Sequence, residues 1–313
     1  MSVYTTVSEQ DLAIFLADYS IGDLVSLTGI SDGIENTNYF VETTHGKYVL
    51  TLFETLNAEE LPFFLDLMAH LNERQVPSAH PIADNNQHYL KTLCEKPAAL
   101  VQRLTGKSIM QPNEEQCAAL GQALGHAHVA TQDFTGKREN RRGPHWWHNT
   151  GQRLLPHLTA DQKRLLEDEL GFQAAHRNDK LPRGVIHADL FRDNALFDGN
   201  NLTGIIDFYY ACNDVLLYDV AVTANDWCSN ADGSINNVRC QHFLDAYQSE
   251  RPFQDDEKAD WSLMLRAAAL RFWLSRLQDL HFPREGEMTH IKDPIPFEDI
   301  LRDRRLKFAH ISA

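Results

Sequence analysis

Residues 187–197 read HADLFRDNALF and place several hydrogen-bonding side chains directly before an apolar strand. Asp189 and Asn194 lie at the two ends of this polar loop, and Asp207 follows the next apolar stretch, in GIIDF. The intervening Asp-Gly-Asn at 198–200 is a hairpin turn signal. We therefore expect two antiparallel strands that bring two carboxylates and one amide together at one end of a β-ribbon.

These three side chains offer hard oxygen atoms, which suit Mg²⁺ better than imidazole or thiolate groups do. Phosphoryl transfer uses such a set: one aspartate accepts the proton of the attacking hydroxyl, while the asparagine and the second aspartate hold metal against the nucleotide phosphates. An isolated H-x-D or I-D-F is common, because Asp and Asn also form turns. The full combination favours a phosphoryl-transfer site over a structural loop. We expect His187 to brace the loop, and Arg192 and Asp193 to face solvent or substrate.

The composition limits the classes of partner. The 313-residue chain is 43% hydrophobic and 23% charged, as folded proteins are, and its formal net charge is −15. Broad contact with nucleic acid or an anionic membrane needs a positive surface, so we expect neither partner. Five scattered cysteines without a C-x-x-C pair indicate neither a disulfide framework nor a thiolate zinc site. With no signal peptide and no run of about 18 apolar residues, the sequence predicts a cytoplasmic protein.

The elements that must position the motif fall into two parts. In residues 1–104 the pattern predicts helices at 8–19 and around Pro62, together with strands at 24–30, 38–44, 47–53, 88–93 and 97–104. We expect Ser8 and Asn57 to cap the two helices. This part is predicted to be a small lobe made mainly of antiparallel strands, within an α+β fold.

In residues 105–313 the pattern is mostly helical. Helices are predicted at 113–131, 159–177, 216–228, 237–249 and 256–280, with the hairpin at 185–207 between them. The segment 136–149, GKRENRRGPHWWHN, is basic and aromatic within an acidic chain. It is either a solvated connecting loop whose tryptophans tuck onto the helical lobe or a rim of the active site that attracts anions.

The motif HADLFRDNALF…GIIDF resembles the catalytic loop and metal-binding strand of the aminoglycoside phosphotransferase/choline kinase superfamily. That superfamily has the protein-kinase-like bilobal fold, with a small antiparallel β-rich lobe and a larger, mostly helical lobe. The stretch ALGQALGHAH resembles its L-x-x-x-L-x-x-L-H helix, and LYDVA at 217–221 resembles its Y-D-L-A segment. The resemblance implies that Asp219 braces the catalytic loop.

The resemblance also implies ATP as the nucleotide. In this fold a loop between the first two strands covers the phosphates, and the matching residues here are Gly33, Asn36, Thr37 and Asn38. Thr51 occupies the position where relatives often carry a phosphate-binding lysine, for which Glu60 would be the usual ion-pair partner. Gln102 lies where the lobes meet and is expected to offer backbone groups to adenine.

Longer stretches, among them VYTTVSEQDLAIFLADY and AALRFWLSRLQDL, resemble the bacterial homoserine kinases of this superfamily. This resemblance implies ATP-dependent phosphorylation of the homoserine side-chain hydroxyl, a step toward threonine. Asp189 would then be the base, with Asn194 and Asp207 as Mg²⁺ ligands. An amino-acid substrate also needs a cation and an anion in its pocket, and Asp214 and Arg271 are the expected substrate contacts.

Three alternatives remain open from the residues. The nearest is a kinase of another small alcohol, such as an aminoglycoside, choline or a sugar. A catalytically silent, kinase-like binding module is favoured only by Thr51, whereas the intact Asp189, Asn194 and Asp207 speak against it. A metal-dependent hydrolase would need histidine ligands or a second carboxylate cluster, and the motif contains neither.

Overall fold

The computed structural model describes residues 4–30, 36–283, 291–307 and 311. They divide into two compact units. The first contains Met1–Gly106 together with the short segments Phe134–Gly136 and Thr203–Tyr209. The second contains Lys107–Asp133, Lys137–Leu202 and Tyr210–Ala313. Antiparallel strands dominate the first unit and helices the second, so the α+β, protein-kinase-like fold class predicted from the sequence is confirmed.

The first unit is built on a five-stranded antiparallel sheet with strand order β1-β2-β3-β5-β4. The sheet's strands are β1 (Leu24–Gly29), β2 (Asn36–Thr43), β3 (Gly46–Phe53), β4 (Leu90–Leu93) and β5 (Lys96–Gln102). All five were expected from their β-branched and aromatic patterns. The unit's helices are α1 (Glu9–Leu16) and α2 (Leu61–Glu73).

The register of β2 against β3 decides which side chains share a face. Asn38 is opposite Thr51, and Asn36 is opposite Phe53. Successive side chains of a strand point to opposite faces, so these residues lie on one face of the sheet. The other face carries Tyr39, Val41, Leu50 and Leu100, which share a hydrophobic core with Leu12 and Phe15 of α1. The predicted nucleotide residues Asn36, Asn38 and Thr51 therefore lie on the face that α1 does not cover.

The two helix starts of this unit differ in their caps. Ser8 accepts a hydrogen bond from the Asp11 amide and caps α1, as the sequence predicted. The expected cap at Asn57 is wrong for α2, because Glu60 holds the N-cap position. Asn57 accepts bonds from the amides of Glu59 and Glu60 and stabilises a turn just before the helix.

The second unit contains eight helices in the part of the chain that the structure describes. They are α3 (Glu114–Ala130), α4 (Pro144–Leu154), α5 (Ala160–Ala175), α6 (Leu216–Trp227), α7 (Asn237–Glu250), α8 (Asp255–Ala259), α9 (Trp261–His281) and α10 (Ile295–Leu306). Reciprocal capping boxes begin α3 (Asn113 with Gln116) and α5 (Thr159 with Gln162), which satisfies amides that have no partner within the helix. None of the helices in the described ranges has both the length and the apolar character that crossing a bilayer requires.

Two helices were not expected from the sequence. Part of segment 136–149, interpreted as a connecting loop or an active-site rim, belongs to α4, whose buried residues are Trp147, Thr150, Gly151 and Leu154. In α10 the buried residues are Phe297, Ile300, Leu301 and Arg304. Both sets follow the i, i+3, i+4, i+7 spacing of a helix face. The predicted helix 256–280 is also divided, because α8 ends before Asp260 and α9 begins after it.

Short strands surround the catalytic motif. β7 (Arg183–Ile186) ends just before it, and β10 (Cys212–Val215) pairs antiparallel with β7. The expected hairpin is present as β8 (Ala195–Asp198) and β9 (Asn201–Ile205), in a sheet of order β6-β8-β9 with β6 (Lys107–Ser108). Gly199 in the hairpin turn has φ 60°, a left-handed conformation that glycine adopts without steric cost.

Helices α3 and α7 approach each other closely at Gly121, where an added Cβ would lie 2.1 Å from the carbonyl oxygen of Phe243. We predict that Gly121→Ala lowers the free energy of unfolding by about 1–3 kcal/mol, because overpacking moves backbone. Urea denaturation followed by far-UV circular dichroism measures the change.

Gly171 in α5 is the matched control, because an added Cβ there would meet nothing within 4 Å. Gly171→Ala should be neutral or stabilise the protein by up to about 1 kcal/mol, since alanine is the better helix former. Equal stability of the two alanine variants would contradict the close approach of α3 and α7.

Candidate active site

The predicted catalytic loop, residues 187–194, is held in place by the buried carboxylate of Asp219, in the first turn of α6. The backbone N–H groups of His187 and Ala188 each donate to Asp219, at 2.7 Å. Nε2 of His128, on α3, lies 3.1 Å from the same carboxylate. One side chain therefore joins two helices to the loop, in agreement with the bracing role that the family resemblance implied.

The environment of Asp219 keeps its carboxylate ionised. Burial would raise the pKa of this fully buried group, but the hydrogen bond from His128, the charges of His128 and His187 and the backbone bond from His187 outweigh burial. The pKa of Asp219 therefore lies below its ordinary value. On the other side of the imidazole, His128 Nδ1 lies 2.7 Å from the hydroxyl of Tyr247, so both ring nitrogens are engaged.

Ala188, between the histidine and the predicted base, has φ 64°. This left-handed conformation is unfavourable for a residue with a Cβ and persists only where surrounding bonds enforce it. The hydrogen bond from the Ala188 backbone N–H to Asp219 supplies that constraint. His187 adds a second local brace, because its Nδ1 accepts a bond from the Asp189 amide at 3.3 Å. Such strain concentrates at functional sites.

The structure brings Asp189 and Asn194 together within the second unit. The Asn194 Nδ2 group donates to the Asp189 carbonyl oxygen at 2.8 Å and to its Oδ2 at 3.3 Å. The backbone amides of Phe191 and Asn194 close the intervening turn, by donating to Asp189 and Phe191 respectively. Because the amide nitrogen of Asn194 is used in this way, its oxygen is the atom suited to a metal ion.

Magnesium fits the chemistry of these residues. The described ranges contain no group of three or more His, Cys, Asp or Glu side chains placed to hold a metal ion. Mg²⁺ does not require such a cage, because it keeps several waters and takes only one or two carboxylates with substrate phosphates. The amide oxygen of Asn194 and the carboxylate of Asp207 are ligands of the kind that Mg²⁺ prefers, and their role as its ligands stays a prediction.

Arg271, on α9, lies beside the predicted base. Its Nη1 is 3.7 Å from Asp189 Oδ1, and its side chain is only 5% exposed. The guanidinium carbon lies 3.7 Å from the centre of the Phe272 ring and 5.4 Å from that of Tyr210. The sequence predicted Arg271 as a substrate contact, and the structure shows it next to Asp189.

In the first unit, Thr51 belongs to a neutral polar network. Its hydroxyl donates to Asn38 Oδ1 at 2.8 Å. Burial and then the charge of Asp207 raise the pKa of Tyr209, while a hydrogen bond with Thr51 opposes them. Asp207 has φ 62°, so it is a second constrained non-glycine residue of the motif.

The other predicted nucleotide residues have varied surroundings. The Thr37 hydroxyl accepts bonds from the amides of Tyr4 and Thr5 and donates to Glu54, which uses its full capacity. A structural role is therefore favoured for Thr37, and contact with nucleotide stays a prediction. Asn36 Oδ1 is buried with no hydrogen-bond partner in the described ranges. The backbone N–H of Gln102 donates to the carbonyl oxygen of His80. Gly33 lies outside the described residues.

Asp214 has both carboxylate oxygens engaged. Oδ1 accepts bonds from Arg183 and from the Val215 amide, and Oδ2 accepts one from Asn140. These contacts fasten β10 to β7 and to segment 136–149. The role of Asp214 as a substrate contact stays a prediction.

Arg192 and Asp193, which were expected to face solvent or substrate, have structural partners. Arg192 donates to Asp226 from its backbone and its guanidinium, and Asp193 pairs with Lys292 at 2.8 Å. Phe191, in the same loop, packs on Phe272 and on a ring of α10. The partners come from distant parts of the chain, so no local spacing could have indicated them.

The chain is similar to known proteins over nearly its full length. Residues 26–253 match the model of the phosphotransferase enzyme family. The homoserine kinase of Methylobacillus flagellatus is 52% identical over 302 residues, which cover 96% of this chain and 95% of that protein. The homoserine kinase of Neisseria meningitidis serogroup B is 46% identical over 96% of this chain and 99% of its own.

Solved structures support the fold. The amicoumacin kinase hAmiN, in complex with AMP-PNP, Ca²⁺ and Ami, superposes with a TM-score of 0.70 over 96% of this chain and 92% of its own. Its sequence identity is 16%, so this likeness concerns the fold alone.

We predict that Asp219→Asn lowers the free energy of unfolding by about 3–5 kcal/mol, the usual cost of breaking a buried charged network from one side. The new amide nitrogen would also face the donors of the loop. Asp179→Asn is the control, because the Asp179 side chain is 76% exposed and pairs with nearby Arg177; it should change stability little. Chemical denaturation near neutral pH compares both variants with the wild type.

The lowered pKa of Asp219 also fixes a pH dependence. A carboxylate whose pKa is lower in the folded state stabilises the protein above its unfolded value of about 3.9. That contribution is lost as the pH falls through the folded value. The stability difference between wild type and Asp219→Asn should thus be constant above about pH 5 and shrink on acidification below about pH 4. A difference that grew on acidification would contradict the assignment.

Proposed function

Because the chain belongs to the phosphotransferase enzyme family, we propose that it transfers the γ-phosphoryl group of ATP to the side-chain hydroxyl of L-homoserine. The observation that carries the reaction type is the contact between Asp189 and Asn194 in a strained, braced loop. The acceptor is supported by the full-length similarity to homoserine kinases. In this proposal the reaction is a step in the synthesis of threonine.

In this mechanism Asp189 accepts the proton of the attacking hydroxyl. Its position is fixed by Asn194 on one carboxylate oxygen and by the neighbouring charge of Arg271 on the other. Asn194 and Asp207 would hold Mg²⁺, which neutralises phosphate charge when it is bound. Positioning and electrostatic stabilisation account for most of the catalysis in this reaction class.

The nucleotide is proposed to bind through residues 1–104, and the acceptor through residues 105–313. Asn36, Asn38 and Thr51 share one face of the β-sheet, and Gln102 ends β5. No positive charge is provided at Thr51, so phosphate neutralisation is assigned to Mg²⁺ and to backbone amides. The cytoplasmic location expected from the cysteines stays a prediction.

We predict ADP release by the purified protein with Mg-ATP and L-homoserine, and much slower release with choline, sugars and kanamycin-type aminoglycosides. A coupled ADP assay at matched acceptor concentrations measures the ratio of kcat/KM values. Turnover of choline or kanamycin without turnover of homoserine would assign another small alcohol as acceptor. Silence with every alcohol, together with intact ATP binding, would favour the binding module.

Asp189→Asn should reduce kcat by at least about 100-fold, because the general base is lost, while ATP affinity stays within a few-fold of wild type. The matched control is Asp193→Asn in the same loop, whose 52% exposed side chain pairs with Lys292. Asp193→Asn should retain most of the turnover. Steady-state kinetics and isothermal titration with AMP-PNP measure the two effects, and undiminished turnover in Asp189→Asn would remove Asp189 from the mechanism.

A further inference from the structure

Arg271 differs from three other buried or partly buried arginines of the second unit. Arg251 donates to Glu257 and Tyr247, and Arg266 donates to Glu169 from two of its nitrogens. Arg304 donates to four groups on α6, on α10 and in the loop after α6. Arg271 is buried, as Arg251 and Arg304 are, but it donates no hydrogen bond to any residue in the described ranges. Its one ion pair, with Asp189, is 3.7 Å long.

Such a guanidinium lacks most of its expected partners. It carries five N–H donors in a planar fork, and buried charges are normally paired and hydrogen-bonded. The aromatic faces of Phe272 and Tyr210 attract its charge but accept no conventional hydrogen bond. The group that best completes a guanidinium fork is a planar anion with two oxygens, a carboxylate.

The position of Arg271 matches the dimensions of an amino-acid acceptor. The reacting hydroxyl must lie within about 3 Å of the Asp189 carboxylate to transfer its proton. In homoserine four single bonds separate the carboxylate carbon from the hydroxyl oxygen, a span of at most about 5 Å. The substrate carboxylate therefore lies within roughly 8 Å of Asp189, and a cation 3.7 Å from that aspartate is inside this radius.

Electrostatics supports the same assignment. The chain has a net charge of −15, and the proposed base is itself an anion that would repel a second carboxylate at this distance. A cation beside both groups removes the repulsion, and its low exposure limits screening by solvent and salt.

We infer that Arg271 binds the α-carboxylate of the acceptor and thereby restricts the site to amino alcohols that carry a carboxylate. This inference rests on the proposed function and deepens it, because it names the residue that selects the substrate. Arg271 contacts both the base and the substrate, so a single guanidinium holds the reacting pair at a fixed separation.

The test compares L-homoserine with L-homoserinamide, in which a neutral amide replaces the carboxylate. Wild type should prefer homoserine by about 30-fold or more in kcat/KM, the usual penalty for removing one partner of a buried charged pair. In Arg271→Gln the preference should fall to within a few-fold, chiefly because KM for homoserine rises. Arg271→Lys should restore part of the preference, and KM for ATP should change little in either variant.

Lys292→Gln is the control, because it removes a positive charge that pairs with Asp193 in the same loop. It should leave the ratio between the two acceptors unchanged. Melting temperatures of all variants show whether each is folded. If Arg271→Gln does not fold, the comparison between wild type and Arg271→Lys is the test.

Several outcomes would overturn the inference. Equal losses for both acceptors would make Arg271 a positioning residue for Asp189 alone, and a selective rise in KM for ATP would assign it to a phosphate. A wild type that phosphorylates both acceptors equally would refute the carboxylate contact while leaving the kinase intact. A wild type inactive with both acceptors would instead refute the proposed function.

Discussion

The buried carboxylate of Asp219 is the group on which the geometry of the catalytic loop depends. An isolated charge at such a position would be strongly unfavourable. It is tolerated because two backbone amides and an imidazole converge on it from separate parts of the chain. The same bonds hold Ala188 in a left-handed conformation. The position of Asp189 is consequently set by the packing of α3 and α6.

Charge is distributed unevenly within this acidic chain. Arg266, which is partly buried, forms an ion pair with the buried Glu169 and so joins α9 to α5. Arg271 lies beside the proposed base, and among the described residues its guanidinium donates no hydrogen bond. On the β-sheet, Thr51 offers a hydroxyl in a neutral network where relatives often carry a lysine. The proposed chemistry thus obtains positive charge from a few defined groups and a metal ion.

The sequence predicted features whose signals are local. Alternating side chains identified the strands, and the motif spacing identified Asp189 and Asn194, which the structure brings together. Helix α4 was missed because its buried face includes Thr150 and Gly151, which reduce the apolar signal. The break at Asp260 interrupts a pattern that reads as one continuous helix.

Contacts between residues far apart in the chain left no local signal. The ion pair of Arg271 with Asp189 and the three bonds to the Thr37 hydroxyl are of this kind. A single sequence reports periodicity and turn chemistry, whereas such contacts depend on how distant elements pack. The roles assigned to Asp207, Asp214 and the nucleotide residues stay predictions from the sequence.

The first compact unit is discontinuous in sequence, and this affects how the protein is made. Within this unit the backbone N–H of Ile205 donates a hydrogen bond to the carbonyl oxygen of Pro77. The aromatic rings of Phe53 and Phe64 pack on Tyr209. These residues emerge from the ribosome long after β5. The nascent N-terminal segment must therefore wait with part of its apolar surface and backbone unpaired. A fragment cut after residue 104 would lack the same contacts, so dividing the gene there separates residues that fold together.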